Sequence, residues 1–150
     1  MIYTEYDSPA GKLFLASDGS SLKALGFGNA PGEMGHDPVL EMAKKWLDDY
    51  FLGRFREPEF PLAPEGTAFQ KKVWQLLLEI PYGEMVSYGD LARKLGETMS
   101  AQAIGQAVGK NPIAILIPCH RVVGARGQLT GYAWGVEKKK WLLELEAGRE

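Results

Sequence analysis

Ten residues near the middle of the chain, Glu57-Pro58-Glu59-Phe60-Pro61-Leu62-Ala63-Pro64-Glu65-Gly66, carry three prolines and a glycine. Proline lacks a backbone N–H and fixes φ, so neither a helix interior nor a central strand can run through this stretch. The segment reads as a linker or rigid connector. At 150 residues the chain has room for one domain or two small ones. The connector favours two: an N-terminal α/β domain with its connector over 1–65, and a C-terminal domain over 66–150.

The hydrophobic period changes across that boundary. Ile2-Tyr3-Thr4-Glu5-Tyr6, Leu13-Phe14-Leu15-Ala16 and the run from Leu22 to Phe27 are separated by Ser8-Pro9-Ala10-Gly11 and Asp18-Gly19. Short runs between turn residues predict three strands of an antiparallel meander. From Pro38 to Phe51 apolar residues recur at three and four, which predicts an amphipathic helix ended by Gly53. Downstream the pattern is helical. Thr67 with Gln70, and Ser87 with Asp90, are capping boxes in which each side chain satisfies the other's backbone N–H. The first opens a helix with Phe69, Val73, Leu76, Leu77 and Ile80 on one face, stopped by Pro81-Tyr82-Gly83. The second opens a short helix to Leu95, stopped by Gly96. Ser100 is an N-cap for a third helix, Ala101 to about Lys110, closed by Asn111-Pro112. Two short helices joined by Gly96-Glu97-Thr98-Met99 have the form of a helix-turn-helix. The third helix has small residues at Ala101, Ala103, Gly105, Ala107 and Gly109. An interior glycine costs about 1 kcal/mol relative to alanine, so close approach to a neighbouring helix, the commoner cause, or to another surface is implied.

Charge excludes little. The formal net charge is -2. Residues 1–65 hold six basic and eleven acidic side chains, which leaves a net +3 for residues 66–150. That excess is weak for a nucleic-acid module, and on charge alone two solvated surfaces are the simpler reading. The one cysteine, Cys119, excludes an intrachain disulfide and a zinc site of two or more thiolates. With His36 and His120 the only histidines, a metal site would have to be mainly carboxylate. The longest apolar run, Ile113 to Ile117, falls far short of the roughly 18 residues of a membrane span. The N-terminus, with Glu5 and no long apolar core, does not read as a secretory signal. A reduced, cytoplasmic protein is the expectation.

Ile113-Ala114-Ile115-Leu116-Ile117 reads as a buried strand delivering Pro118-Cys119-His120-Arg121-Val122-Val123. A lone cysteine is most often a buried small hydrophobe. This one sits where the chain must turn, with His120 and Arg121 directly after it, and a cation near a thiol lowers its pKa. Cysteine with a histidine base is a nucleophile pattern. Neighbours on an extended chain face opposite ways, so His120 reaches the sulfur only through a water or a bend.

Asn111-Pro112, the apolar run and Pro118-Cys119-His120-Arg121-Val122 resemble the active-site segment of the O6-alkylguanine-DNA alkyltransferases, the methylated-DNA–protein-cysteine S-methyltransferase family. The likeness continues through Leu129-Thr130-Gly131-Tyr132-Ala133-Trp134-Gly135, Lys138-Lys139-Lys140-Trp141-Leu142-Leu143 and Glu146. Upstream it takes in Pro81-Tyr82-Gly83, Val86-Ser87-Tyr88 and the small-residue helix, and more loosely the N-terminal half. It implies an α+β fold: a ribonuclease-H-like sheet with a helix, then a winged-helix-like helical domain. It also implies direct-reversal repair, in which damaged guanine is flipped out of duplex DNA and its O6-alkyl group passes irreversibly to the cysteine, once per molecule.

By the same resemblance Cys119 is the nucleophile, His120 takes its proton through a water, and Glu146 orients His120. Asn111 ties the helix end to the cysteine turn, and Tyr88 protonates the guanine. Val122, through its carbonyl together with that of Cys119, and Tyr132, Ala133, Trp134 and Lys139 form the substrate site. Ser87, Ser100, Ala101, Gln102, Ala103, Gly105, Arg93, Lys94, Lys110, Arg121 and Arg126 are the candidates for DNA contact in the minor groove. The implied partner is double-stranded DNA with O6-alkylguanine, with O4-alkylthymine a further candidate, bound by a monomer without a metal, a cofactor or a membrane. Two other classes fit a cysteine and a helix-turn-helix: a non-catalytic lesion-binding protein, which in this family lacks the cysteine, and a cysteine hydrolase, which would need an oxyanion hole. Two departures stand out. Many members have an arginine, which fills the gap left by the flipped base, where this chain has Gln102. Trp134 places a bulky ring where one other member has glycine. Gln102→Arg is expected to tighten DNA binding several-fold at fixed salt; an unchanged dissociation constant in a duplex titration would refute a gap-filling role for this position.

Overall fold

The computed structural model describes residues 1–96 and 100–148. The chain divides into two compact units, Met1–Glu65 and Gly66–Glu150. In the first, strands β1 (Ile2–Ser8), β2 (Gly11–Ser17) and β3 (Leu22–Phe27) form an antiparallel sheet in the order β1-β2-β3. Register runs from Ile2 opposite Ser17 to Ser8 opposite Gly11, with a bulge at Ala16/Ser17 against β3. Helix α1 (Pro38–Phe51) is capped by Asp37, whose side chain accepts from Leu40 N, and has proline in its first turn. Its buried Leu40, Ala43, Leu47 and Tyr50 belong to one core with Leu13, Leu15, Leu22 and Leu25. The proline-rich segment is more than a linker. Leu22 N donates to Pro61 O and Ala63 N to Leu22 O, both at 2.9 Å, so residues 61–63 lie along the start of β3.

In the second unit the local signals act as the sequence predicts. Thr67 and Ser87 both close capping boxes, on α2 (Ala68–Leu78) and α3 (Tyr88–Leu95). Gly96 ends α3 in the left-handed region at φ 68°, which glycine adopts without steric cost. Ser100 caps α4 (Ala101–Gly109) through Ala103 N. The expected turn residues Glu97, Thr98 and Met99 lie outside the described residues. Helix α4 packs on α2 and α3, and the Trp74 indole N–H donates to Ala107 O at 2.8 Å. Two-residue strands β4 (Val86–Ser87) and β5 (Val122–Val123) pair in parallel, and α5 (Val136–Glu146) ends the described fold. No described helix is long and apolar enough to cross a membrane.

The strand expected at 113–117 does not form. These five residues are buried, none more than 6% exposed, but the backbone hydrogen bonds within the run are local turns. Leu116 N donates to Ala114 O at 2.8 Å, Ile117 N to Ile113 O at 3.1 Å and Cys119 N to Ile117 O at 2.7 Å. The first closes a γ-turn on Ile115, held at φ 70°, and the last an inverse γ-turn on Pro118, at φ -79° and ψ 65°. Prolines at 112 and 118 remove the ladder donors at both ends of the run. An apolar run reports burial, and burial alone does not tell a strand from a packed turn.

Candidate active site

Asn111 builds the turn that presents Cys119. Its side-chain amide donates to Ile117 O at 2.7 Å, and its Oδ1 accepts from Ile113 N at 3.0 Å. One side chain thus closes both ends of the 113–117 turn. Cys119, His120 and Arg121 then form a single turn of 3-10 helix. Three residues per turn separate the three side chains by about a third of a rotation each. This is the bend that lets consecutive residues serve one site.

A cavity of about 170 Å³ lies at Cys119, lined also by Tyr88, Gly105, Val108, Gly109, Asn111, Gly131, Tyr132, Ala133 and Trp134. It is smaller than the roughly 300 Å³ and upward of drug-sized sites. The α4 glycines form part of its wall. A Cβ built on Gly109 meets nothing within 4 Å, and one on Gly105 only the Tyr88 ring at 3.8 Å. Tight helix packing therefore does not account for them. Gly109 and Val108 are lining residues that the sequence reading did not assign to the site. The signal is the i, i+3, i+4 spacing of Gly105, Val108 and Gly109, one helix face, which the every-second-residue pattern of small side chains obscures.

Behind Cys119 lies a buried ionic cluster. His120 Nε2 is 2.6 Å from Glu146 Oε2. Arg121 donates from Nε to Glu146 Oε1 at 2.7 Å, from Nη2 to Oε2 at 3.0 Å and from Nη1 to Ile80 O at 2.7 Å. Gly83 N also donates to Glu146 Oε1, at 3.3 Å, and the guanidinium lies 5.7 Å from the centre of the Tyr82 ring. Burial pushes the Glu146 carboxyl up, but the hydrogen bonds and charges of His120 and Arg121 outweigh it and hold the group well below the usual carboxylate range. Burial pushes His120 down, and Arg121 and Lys139 reinforce it against the pull of Glu146. The Nδ1 atom of His120 is buried and has no hydrogen-bond partner.

Two expectations are corrected here. Arg121 is not a surface cation available to phosphate; it is 3% exposed and committed to Glu146 and Ile80. Nor is the thiol pKa lowered on balance. Burial pushes Cys119 up, and contacts with Asn111, Lys139 and Tyr132 offset it only in part. The charge of Arg121 is satisfied by Glu146 and His120 is held neutral, so the nearby charge acting on the sulfur is that of Lys139.

The other candidates are placed as follows. Tyr88 is half-buried on the cavity wall; burial, then Cys119, push its phenol up, so it remains a proton donor at neutral pH. Burial pushes Tyr132 well up as well, with Cys119 adding to it. Lys139 and Val122 are buried and outside the cavity lining. Lys139 Nζ donates to Thr130 O and Gly131 O at 3.1 and 3.2 Å, so it anchors the cavity rim. The Val122 N–H donates to Cys119 O. Ser100, Ala101, Gln102, Lys94, Lys110 and Arg126 are exposed, Ser87, Ala103 and Gly105 half-buried, and Arg93 is exposed and paired with Asp90. Among the described residues no group of three or more His, Cys, Asp or Glu could hold a metal ion.

Two family models match this chain. The DNA binding domain of 6-O-methylguanine DNA methyltransferase covers residues 68–148, and the ribonuclease-like domain of the same family covers residues 1–64. The chain belongs to the 6-O-methylguanine DNA methyltransferase family. Its relatives include the methylated-DNA–protein-cysteine methyltransferase of Mycobacterium tuberculosis, 46% identical over 98% of this chain and 93% of that protein. That of Methanosarcina acetivorans is 42% identical over 97% of this chain and 98% of its own length. The crystal structure of Mycobacterium tuberculosis OGT in complex with DNA matches with a TM-score of 0.91 at 44% identity, over 99% of this chain and 94% of that one. The ribonuclease-like and DNA-binding architecture of the family is the α+β fold that the sequence implied.

The cavity-wall glycines make a measurable demand. Gly109→Ala restricts the unfolded chain and meets nothing in the folded one, so it is expected to raise stability by about 0.5–1 kcal/mol. Denaturant unfolding reads this directly, and a destabilised variant would show that the glycine serves packing after all.

Proposed function

We propose that this protein repairs alkylated DNA by transferring the alkyl group of O6-alkylguanine to Cys119 in a single irreversible turnover. The observation that carries this reading is a buried cysteine on the wall of a small cavity, with a phenol donor beside it and a histidine–carboxylate pair behind it. A sulfur so enclosed cannot meet a base within the stack. The base must be extruded into the cavity, and an alkylated guanine, which pairs poorly, costs less to extrude.

The chemistry then balances with this chain's own groups. The Cys119 thiol proton passes to His120 Nδ1 through a bridging water, for which that atom has an unused lone pair. The sulfur attacks the alkyl carbon, the carbon–O6 bond breaks, and its electron pair stays with the guanine. Tyr88 supplies the proton the guanine needs and regains one from solvent. The products are guanine and S-alkylcysteine, and the thioether offers no easy return. Asn111 and the cavity-lining Tyr132, Ala133 and Trp134 position the base. The exposed start of α4, with Gln102, and the cations Arg93, Lys94, Lys110 and Arg126 face the minor groove and its phosphates. Arg121 is not in that set. Binding is largely sequence-independent, weakened by salt, and carried out by a monomer.

A duplex oligonucleotide carrying O6-methylguanine labelled in the methyl group tests the proposal. One label per chain on Cys119, with none on Cys119→Ser, is the expected result. Binding without transfer would instead mean a lesion sensor, and repeated turnover of a small ester would mean a hydrolase. The Trp134 ring at the cavity gives a second expectation: methyl transfers at least several-fold faster than benzyl in single-turnover assays, and Trp134→Gly narrows the gap. Equal rates for the two groups in the unmodified protein would rule out a size filter at Trp134.

A further inference from the structure

Arg121 has no part in the transfer scheme, yet it is bonded to the carboxylate that His120 also uses. Its guanidinium meets both oxygens of Glu146, at 2.7 and 3.0 Å, while Glu146 Oε2 stands 2.6 Å from His120 Nε2. We propose that Arg121 is a positioning residue that keeps His120 a neutral base, protonated on Nε2 and open on Nδ1, by neutralising and immobilising the carboxylate to which His120 is bonded. The proposal deepens the transfer reading and rests on it only for the consequence to the rate.

An ionised carboxylate only accepts hydrogen bonds. The hydrogen it shares with His120 therefore belongs to Nε2, which leaves the Nδ1 lone pair unused. A lone carboxylate at that distance would also draw a second proton onto the imidazole. Here it does not stand alone. Among the described residues, the charged and titratable groups around His120 are Glu146 and Lys139 from α5, Arg121 and Cys119 from its own turn, and Tyr82 against the guanidinium. Arg121 cancels the charge of Glu146, Lys139 adds a second positive charge, and at 0% exposure His120 has no solvent to support a cation. A lysine could supply the charge. Only the guanidinium fork can bond both carboxylate oxygens and, with its third nitrogen, reach the Ile80 carbonyl, so that Glu146 cannot rotate. A base held neutral in this way gains its proton only from the thiol.

Histidine nitrogen-15 spectra read the proposal without any substrate, so their outcome stands whether or not Cys119 accepts an alkyl group. The chain's only other histidine, His36, is exposed, so the two rings are separable. In the unmodified protein His120 is expected to be the neutral Nε2–H form at pH 7 and to stay so well into the acid range; an imidazolium at pH 7 overturns the proposal. In Arg121→Met the second ring proton is expected to bind about one to two pH units higher. In Arg121→Lys, which keeps the charge, the rise should stay within about half a unit. The acid limb of the transfer rate should move with the ring. An unmoved His120 in Arg121→Met, or an equal rise in both variants, overturns the proposal. If Arg121→Met does not fold, the unmodified protein and Arg121→Lys decide, and an imidazolium at pH 7 in the lysine variant refutes it.

Discussion

Glu146 is 7% exposed and ionised, and three groups from two parts of the chain converge on it: His120 Nε2 and the Arg121 guanidinium from one turn, and the Gly83 amide. A buried charge without partners costs several kcal/mol. This one also sits at the C-terminal end of α5, where the helix dipole disfavours an anion. Its stability therefore depends wholly on the groups that surround it. In return, those groups are fixed by it. The 3-10 turn carrying Cys119 is held through His120 and Arg121, the end of α2 through the Ile80 carbonyl, and the Pro81-Tyr82-Gly83 turn through Gly83 N. The catalytic geometry and the packing of this unit share one interaction.

Helix α5 serves the site at two levels. Lys139 and Glu146 are seven residues apart, nearly two turns, and lie on the same buried face. Near one end of the helix Lys139 anchors the backbone of Thr130 and Gly131 at the cavity rim and sends its charge toward the sulfur. At the other, Glu146 binds the His120 ring and the Arg121 guanidinium. The α4 glycines and the Asn111-stapled turn complete the enclosure from the opposite wall. Side chains that look like ordinary surface charge in the sequence are the framework of this interior.

That arrangement explains which features the sequence disclosed. The caps at Thr67, Ser87 and Ser100, the stop at Gly96 and the meander were legible because each is decided within a few residues. Cys119 and His120 stood out through their pattern in the sequence, whereas Asn111, Tyr88 and Glu146 were singled out only by resemblance; the structure places Tyr88 and Asn111 beside Cys119 and Glu146 against His120. The 113–117 turn was not legible, because its fold is set by the Asn111 side chain and by two prolines rather than by its own apolar pattern. Arg121 was misplaced for a related reason. Arginine is rarely buried unless paired, and its partner lies 25 residues away on another helix. Gly109 was read as part of a small-residue stripe, and the alternation of that stripe obscured the helix face on which it lines the cavity.

The raised thiol has one more consequence. A protein whose reactive group can be used only once must carry it unspent until the right lesion arrives. Oxidants and stray electrophiles attack the thiolate far more readily than the thiol. Cys119 is 7% exposed and held protonated by its burial, with no second cysteine in the chain to rescue an oxidised sulfur through a disulfide. The environment that slows ionisation of the resting enzyme therefore also acts as its preservative. On the proposed reading, protection of the sulfur before transfer and the need for a base at the moment of transfer are two results of the same desolvation.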